Sequence, residues 1–309
     1  MADLDLVSAL VGPGAFLNAR HTLTHSIVGT LVVICVAVGI ALLIRPENGP
    51  PQKAGPASKI GIPALLIAAT LAAVMHVLMD VCTSAGIALL WPWRQTRFAW
   101  DWLPRVDPWI LALLLAGMLL PELFGLVGSE IGAKATAPRG RNGALVALTL
   151  VLIYVGARAT LHGNALAQLD AHTYRGESPL RLETFADPVS FLNWHGVVET
   201  DTQICTVYVP ATESTRFDPE SGLCTHKPDD SSLLQAAQQT AQVKKFLQAS
   251  RFPRASVGST DDGAEIVLHD ARDSAEDEKR FSIAVRILLN RKGQVASQDV
   301  LWATELPLR

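Results

Sequence analysis

Met75-His76-Val77-Leu78-Met79-Asp80-Val81-Cys82-Thr83-Ser84-Ala85-Gly86-Ile87-Ala88-Leu89-Leu90-Trp91-Pro92-Trp93 is the stretch on which the reading of this chain turns. It begins inside an apolar run that starts near Ile60. The 20 residues from Ile60 to Met79 carry no Asp, Glu, Lys or Arg. As a helix, that length crosses about 30 Å of hydrocarbon. Near its end stand a His and an Asp four apart, and positions i and i+4 share a helix face. Ionisable groups at membrane depth are costly and face a partner or a polar cavity. Spacing alone leaves two readings open: a functional pair, or an imidazole and a carboxylate that only satisfy each other.

A second pair stands at the head of the first apolar run, where His21-Thr22-Leu23-Thr24-His25 again places two His at i and i+4. Working outward from both pairs, four membrane helices are expected: His25 to Ile44, Ile60 to about Cys82, Pro108 to about Val127, and Gly143 to Leu161. The first 24 residues form a short lead, with Gly12-Pro13-Gly14 as a turn signal. They lack the basic start, apolar core and cleavage site of a signal peptide. The segment Thr83 to Asp107 reads as re-entrant or interfacial. Five of the seven Trp (Trp91, Trp93, Trp100, Trp102 and Trp109) fall in or just beyond it, as in an aromatic belt at a membrane edge. Pro121 is expected to kink the third helix, Glu122 to reach the opposite interface, and Arg158 to snorkel from the fourth helix.

The order and spacing of these residues resemble a known family. Thr24-His25-Ser26 opening a membrane helix, then His76-x-x-x-Asp80-x-x-Thr83-x-x-Gly86 and Leu89-Leu90-Trp91-Pro92, is similar to the YdjM-like membrane-bound metal-dependent hydrolases of bacterial inner membranes. Asp3-Leu4-Asp5 looks like the end of that family's Pro-Asp-x-Asp element. The resemblance covers roughly residues 3–110 and continues weakly to Glu199, where Asn193 to Thr200 loosely resembles the family's Trp-containing strand. It implies a metal site drawn from His25, His76, Asp80, Asp3, Asp5 and His21, with Asp80 and His76 as the catalytic candidates. Two departures stand out. The family usually has a further N-terminal helix with a Thr-His pair, and this chain is expected to start after it. The family also reads His-Arg where this chain has Arg20-His21.

Composition divides the chain. Apolar residues make up 49 % of 309, and mean hydropathy is +0.27. Residues 1–161 carry 11 Lys and Arg against 8 Asp and Glu, and residues 162–309 carry 15 against 21. We therefore expect an α-helical membrane domain over 1–161 followed by a soluble α+β domain over 162–309. The acidic second half argues against nucleic acid and against docking on anionic lipid. The connecting loops carry Arg45, Lys53, Lys59, Lys134, Arg139 and Arg141, against Arg20, Arg94, Arg97 and Arg105 on the other side. That bias puts the loops in the cytoplasm and the C-terminal half outside it, in the periplasm of a cell that has one.

In the second half, Leu192 to Val209 reads as a strand pair turning at Asp201-Thr202. Ser231 to Ala249 reads as one amphipathic helix. Ala264 to His269, Phe281 to Leu289 and Gln294 to Leu301 read as strands, with a turn at Asn290 to Gly293. His162, His172, His195, His226 and His269 share no ligand-like spacing and read as packing or surface residues. If this half lies outside the cytoplasm, Cys205 and Cys224 are in an oxidising compartment and are expected to form a disulfide.

A set of His and Asp ligands suits a divalent transition metal, zinc or manganese foremost. A metal there would lower the pKa of bound water toward 7, and one carboxylate could serve as general base. Location at a membrane edge suits an amphiphilic substrate, a lipid ester or phosphodiester. The competing reading is a non-catalytic membrane protein with a structural metal or ion-pair site and an outer binding or envelope-stress domain. A transporter fits less well, because transporters bind substrate near the bilayer midplane.

Overall fold

The computed structural model describes residues 7–19, 24–44, 61–94, 96–130, 139–212, 217–229, 231–274 and 282–305, without the side chains of 18, 19, 125–130, 139, 273 and 274. The loop cations Arg45, Lys53, Lys59 and Lys134 lie outside the described residues. The chain forms two compact units, residues 1–100 with 225–309, and residues 101–224.

In the first unit, two short helices, α1 (Ser8–Val11) and α2 (Pro13–Ala19), precede an apolar pair, α3 (Ile27–Leu43) and α4 (Ile62–Cys82). Pro13 opens α2, where its missing N–H would have had no helical partner. Ser26 caps α3, its Oγ accepting the Gly29 N–H at 3.0 Å. The segment 7–19 is thus two short helices separated at Gly12, where the sequence suggested a lead with a turn at Gly12-Pro13-Gly14. Phe16 and Leu17 of α2 enter the core of the second sheet, Phe16 packing on Trp302.

That second sheet is antiparallel, in the order β5 (Pro253–Thr260), β6 (Gly263–Asp270), β7 (Ile283–Asn290), β8 (Val295–Trp302). Alternating residues of β6 and β7, among them Ile266, Leu268, Val285 and Ile287, point inward. Two helices cover this core, α7 (Ser232–Gln238) and α8 (Ala241–Ala249). One helix was expected here. Thr240 breaks it, because its hydroxyl caps α8 by accepting the Val243 N–H at 3.4 Å.

The second unit holds α5 (Pro108–Glu130) and α6 (Arg139–Asp170). Gly117 and Gly143 let their backbones approach closely. A Cβ on Gly117 would collide with Ala147, and one on Gly143 with Pro121 and the Gly117 carbonyl. Small residues at such a crossing are the usual device of apolar helix pairs. The end of α6 runs nine residues past the expected Leu161, and its Ala165 and Leu169 join the core of the other sheet. That sheet has the order β1 (Arg181–Ala186), β2 (Asn193–Glu199), β3 (Gln203–Pro210), β4 (Leu223–His226). Gly196 in β2 leaves room for Leu169, which a Cβ would strike. The expected disulfide joins Cys205 to Cys224, between β3 and β4.

Arg158 does not snorkel. It is 1 % exposed and stacks on Trp194, its guanidinium carbon 4.7 Å from the ring centroid. It donates to the carbonyls of Asp187, Ser190 and Phe191 at 3.0–3.3 Å and of Trp102 at 3.4 Å. Four carbonyl acceptors for its five N–H groups are what let this guanidinium stay buried.

Of the four expected membrane helices, two are long and apolar enough to cross a bilayer, Ile62–Cys82 and Gly140–Asp170. Ile27–Leu43 and Pro108–Phe124 are apolar but shorter. The architecture is thus a helical N-terminal region with two candidate spans, followed by a region rich in sheet.

Candidate metal centre

The antiparallel pairing of α3 and α4 sets the start of one helix beside the end of the other. Residues far apart in sequence meet there. His76 Nε2 lies 3.4 Å from His25 Nε2, Asp80 Oδ2 lies 3.1 Å from His25 Nε2, and His76 Nε2 lies 3.3 Å from Asp80 Oδ2. The three atoms form a nearly equilateral triangle. Among the described residues this is the one group of three His, Cys, Asp or Glu side chains able to hold a metal ion.

Asp80 Oδ2 is sealed from solvent and has no hydrogen-bond partner among the described residues, although both imidazoles lie within ion-pair distance. The separations are short, but the angles of a hydrogen bond are not met. The two imidazole nitrogens are in hydrogen-bond geometry with each other, while the carboxylate oxygen is flanked by both without bonding to either, an arrangement that a shared ion would satisfy. A tetrahedral ion with bonds of about 2.0–2.1 Å spaces its ligands about 3.3 Å apart, and the triangle's edges fit that spacing. A divalent cation therefore fits the donor set.

The environment orients each ligand. His25 is fully buried, and its Nδ1 lies 2.9 Å from the Thr24 hydroxyl. For Nε2 to offer its lone pair, Nδ1 must carry the proton and donate it to Thr24, the usual second contact of a metal-binding imidazole. Asp80 stands at the end of α4, where the Thr83 hydroxyl donates to the Asp80 carbonyl at 2.8 Å and the Thr83 N–H does so at 3.1 Å. Beyond it, residues 83–94 and 96–100 fold back on the helix end. Ile87 and Phe98 exchange backbone hydrogen bonds at 2.9 and 3.0 Å, and the Trp100 N–H reaches the Val81 carbonyl at 2.7 Å. Gly86 has φ +66°, and a Cβ there would press on Ala99 and Phe98. The Ile27 N–H donates to the Leu89 carbonyl at 3.0 Å, so the same segment also holds the first turn of α3. His76, with 32 % of its side chain exposed, forms the open side of the triad.

The structure brings together His25, His76 and Asp80. Asp3, Asp5 and His21 lie outside the described residues. Asp107, the last residue of the segment read as interfacial, caps α5. Its Oδ1 accepts the N–H groups of Trp109 and Ile110, and its Oδ2 accepts the Tyr154 hydroxyl at 2.9 Å. The other His residues of the second half include His195, which pairs with Asp187 at 3.3 Å, and His172, which lies 2.8 Å from the Gln168 carbonyl.

Residues 1–165, just over half of the chain, match the family described as YdjM inner membrane protein. No curated protein and no solved structure matches the chain.

Proposed function

The chain belongs to the YdjM inner membrane protein family, and on that footing we propose that it is a membrane-embedded, metal-dependent hydrolase. The observation that carries this reading is the convergence of His25 Nε2, His76 Nε2 and a solvent-sealed Asp80 Oδ2 within 3.1–3.4 Å of one another. Two imidazoles and a carboxylate favour zinc or manganese, and the spacing favours zinc. A bound ion of this kind supplies Lewis acidity and lowers the pKa of water toward about 7.

The residues divide the remaining work. His25, buried and held by Thr24, serves only to bind. His76 presents the exposed edge at which a substrate arrives. Asp80 binds through Oδ2, and its other oxygen is the candidate general base for the attacking water. Asp3, Asp5 and His21 are proposed to complete the site.

The substrate is an amphiphile, a lipid ester or phosphodiester, met where the helices leave the bilayer. The reading includes four membrane passes, the shorter α3 and α5 crossing beside α4 and α6. It also includes a periplasmic C-terminal half, which the Cys205–Cys224 disulfide and the loop charges support.

The test is metal analysis of the purified protein beside its His76→Ala and Asp80→Asn variants, with a panel of ester and phosphodiester amphiphiles. The parent is expected to hold one equivalent of metal and to turn over a member of the panel, and both variants to lose metal. Metal without turnover would favour a structural site; unchanged metal in both variants would remove the site.

A further inference from the structure

We propose that Arg272, held by Asp270, is a positioning residue for the metal centre, although both lie more than 100 residues beyond the region that matches the family. This rests on the metal-centre reading above. The Arg272 Nη1 donates to the Ser84 carbonyl at 2.7 Å. Ser84 is four residues after Asp80, is 3 % exposed, and stands just past the end of α4. The same backbone segment reaches the first turn of α3 through the Leu89 carbonyl and the Ile27 N–H, two residues from His25. One cation therefore grips the segment that joins the two ligand-bearing helix ends.

The grip is itself held rigid. Arg272 Nε and Nη2 both donate to Asp270 Oδ2, at 3.0 and 2.8 Å. The Ser250 hydroxyl and the Arg251 N–H donate to the same oxygen at 2.7 and 2.9 Å, and the Arg272 N–H reaches Oδ1 at 3.0 Å. The side chains are 9 % and 4 % exposed. A buried ion pair is weak evidence for stability, since desolvation offsets much of the attraction, and its best-attested use is to fix one arrangement among several. Here that arrangement is the placement of the end of α4 against the start of α3. The sheet whose strand β6 ends at Asp270, with Arg272 in the turn just beyond it, is thus part of the centre's scaffold.

The test uses the full-length protein in detergent and compares Arg272→Met and Arg272→Lys with Arg286→Met. Arg286 pairs with Asp299 at 3.3 Å on the same sheet but does not hold residue 84. Three quantities are read: zinc affinity by competition with a chromophoric chelator, the visible spectrum with cobalt in place of zinc, and amide exchange over residues 83–89. Arg272→Met is expected to weaken zinc about tenfold or more, as loss of an outer-shell support does, to change the cobalt bands and to speed exchange. Arg272→Lys should fall between, and Arg286→Met should match the parent in all three. Unchanged exchange in Arg272→Met, or faster exchange with unaltered affinity and spectrum, overturns the proposal. Failure of the parent itself to bind zinc or cobalt overturns the metal reading and this role with it; exchange then reports only whether Arg272 holds the segment.

Discussion

His25 Nε2 and Asp80 Oδ2 stand 3.1 Å apart although one residue precedes α3 and the other lies in the last turn of α4. That closeness depends on the orientation of the His25 ring, whose Nδ1 lies 2.9 Å from the Thr24 hydroxyl. Thr24→Val keeps the size and removes the acceptor for Nδ1–H, so the other tautomer becomes accessible and the Nε2 lone pair is no longer guaranteed. Zinc affinity is expected to fall 10- to 100-fold, the usual effect of losing such a partner, with little change in helix content. A chelator competition curve unchanged from the parent would show that Thr24 does not set the tautomer.

The Cys205–Cys224 bond closes a loop between β3 and β4, and Cys205 is fully buried. On the chain-entropy model a loop of this size contributes about 3 kcal/mol. Replacing both Cys by Ala is expected to lower the unfolding midpoint of the β1–β4 region, and treatment with reductant should do the same to the parent. Full thiol labelling of Cys205 and Cys224 without reductant would contradict the bond.

The helix ends that make the centre were legible because the signals are local. A His and an Asp at i and i+4 near the end of one uncharged run, and Thr24-His25-Ser26 at the start of another, fix faces and ends by helix geometry alone. The disulfide followed from compartment logic. Other features had no local signal. Nothing in Asp270-Ala271-Arg272 points to residue 84, because the contact spans 188 positions. Arg158 looked like an interfacial cation because its acceptors are backbone carbonyls, which no side-chain pattern records. β5 was missed because Pro253 to Thr260 is small and polar, a sequence that becomes a strand through pairing with β6 rather than by its own propensity. The break at Thr240 was hidden because the apolar spacing continues through it while the hydroxyl caps the second helix.

The close crossing of α5 and α6 gives a packing prediction. Gly143→Val would drive a branched side chain into Pro121 and the Gly117 carbonyl. Overpacking of this kind costs about 1–3 kcal/mol, and thermal unfolding in detergent should register it. Gly140→Ala on the same helix, where a Cβ meets nothing within 4 Å, is the control and should be neutral. Equal midpoints for the two variants would mean the helices do not cross at Gly143.

The last prediction concerns acid. Burial pushes the Asp270 carboxyl up, but the Arg272 charge and the hydrogen bonds from Arg272 and Ser250 outweigh it and hold the group well below the usual carboxylate range. A folded-state pKa depressed below the unfolded value of about 3.9 adds stability that is fully present above that value. The contribution is lost as pH falls toward the folded value. Asp270→Asn leaves Arg272 buried without its counter-charge, a change that typically costs about 3–5 kcal/mol when a buried pair is broken. The gap in Tm between parent and variant should therefore be widest near pH 6 and narrow steadily below pH 4, as the carboxyl of the unfolded parent takes up a proton that the folded state still refuses. A gap that stays constant from pH 7 to pH 3 would show that the Asp270 charge does not sustain the pair.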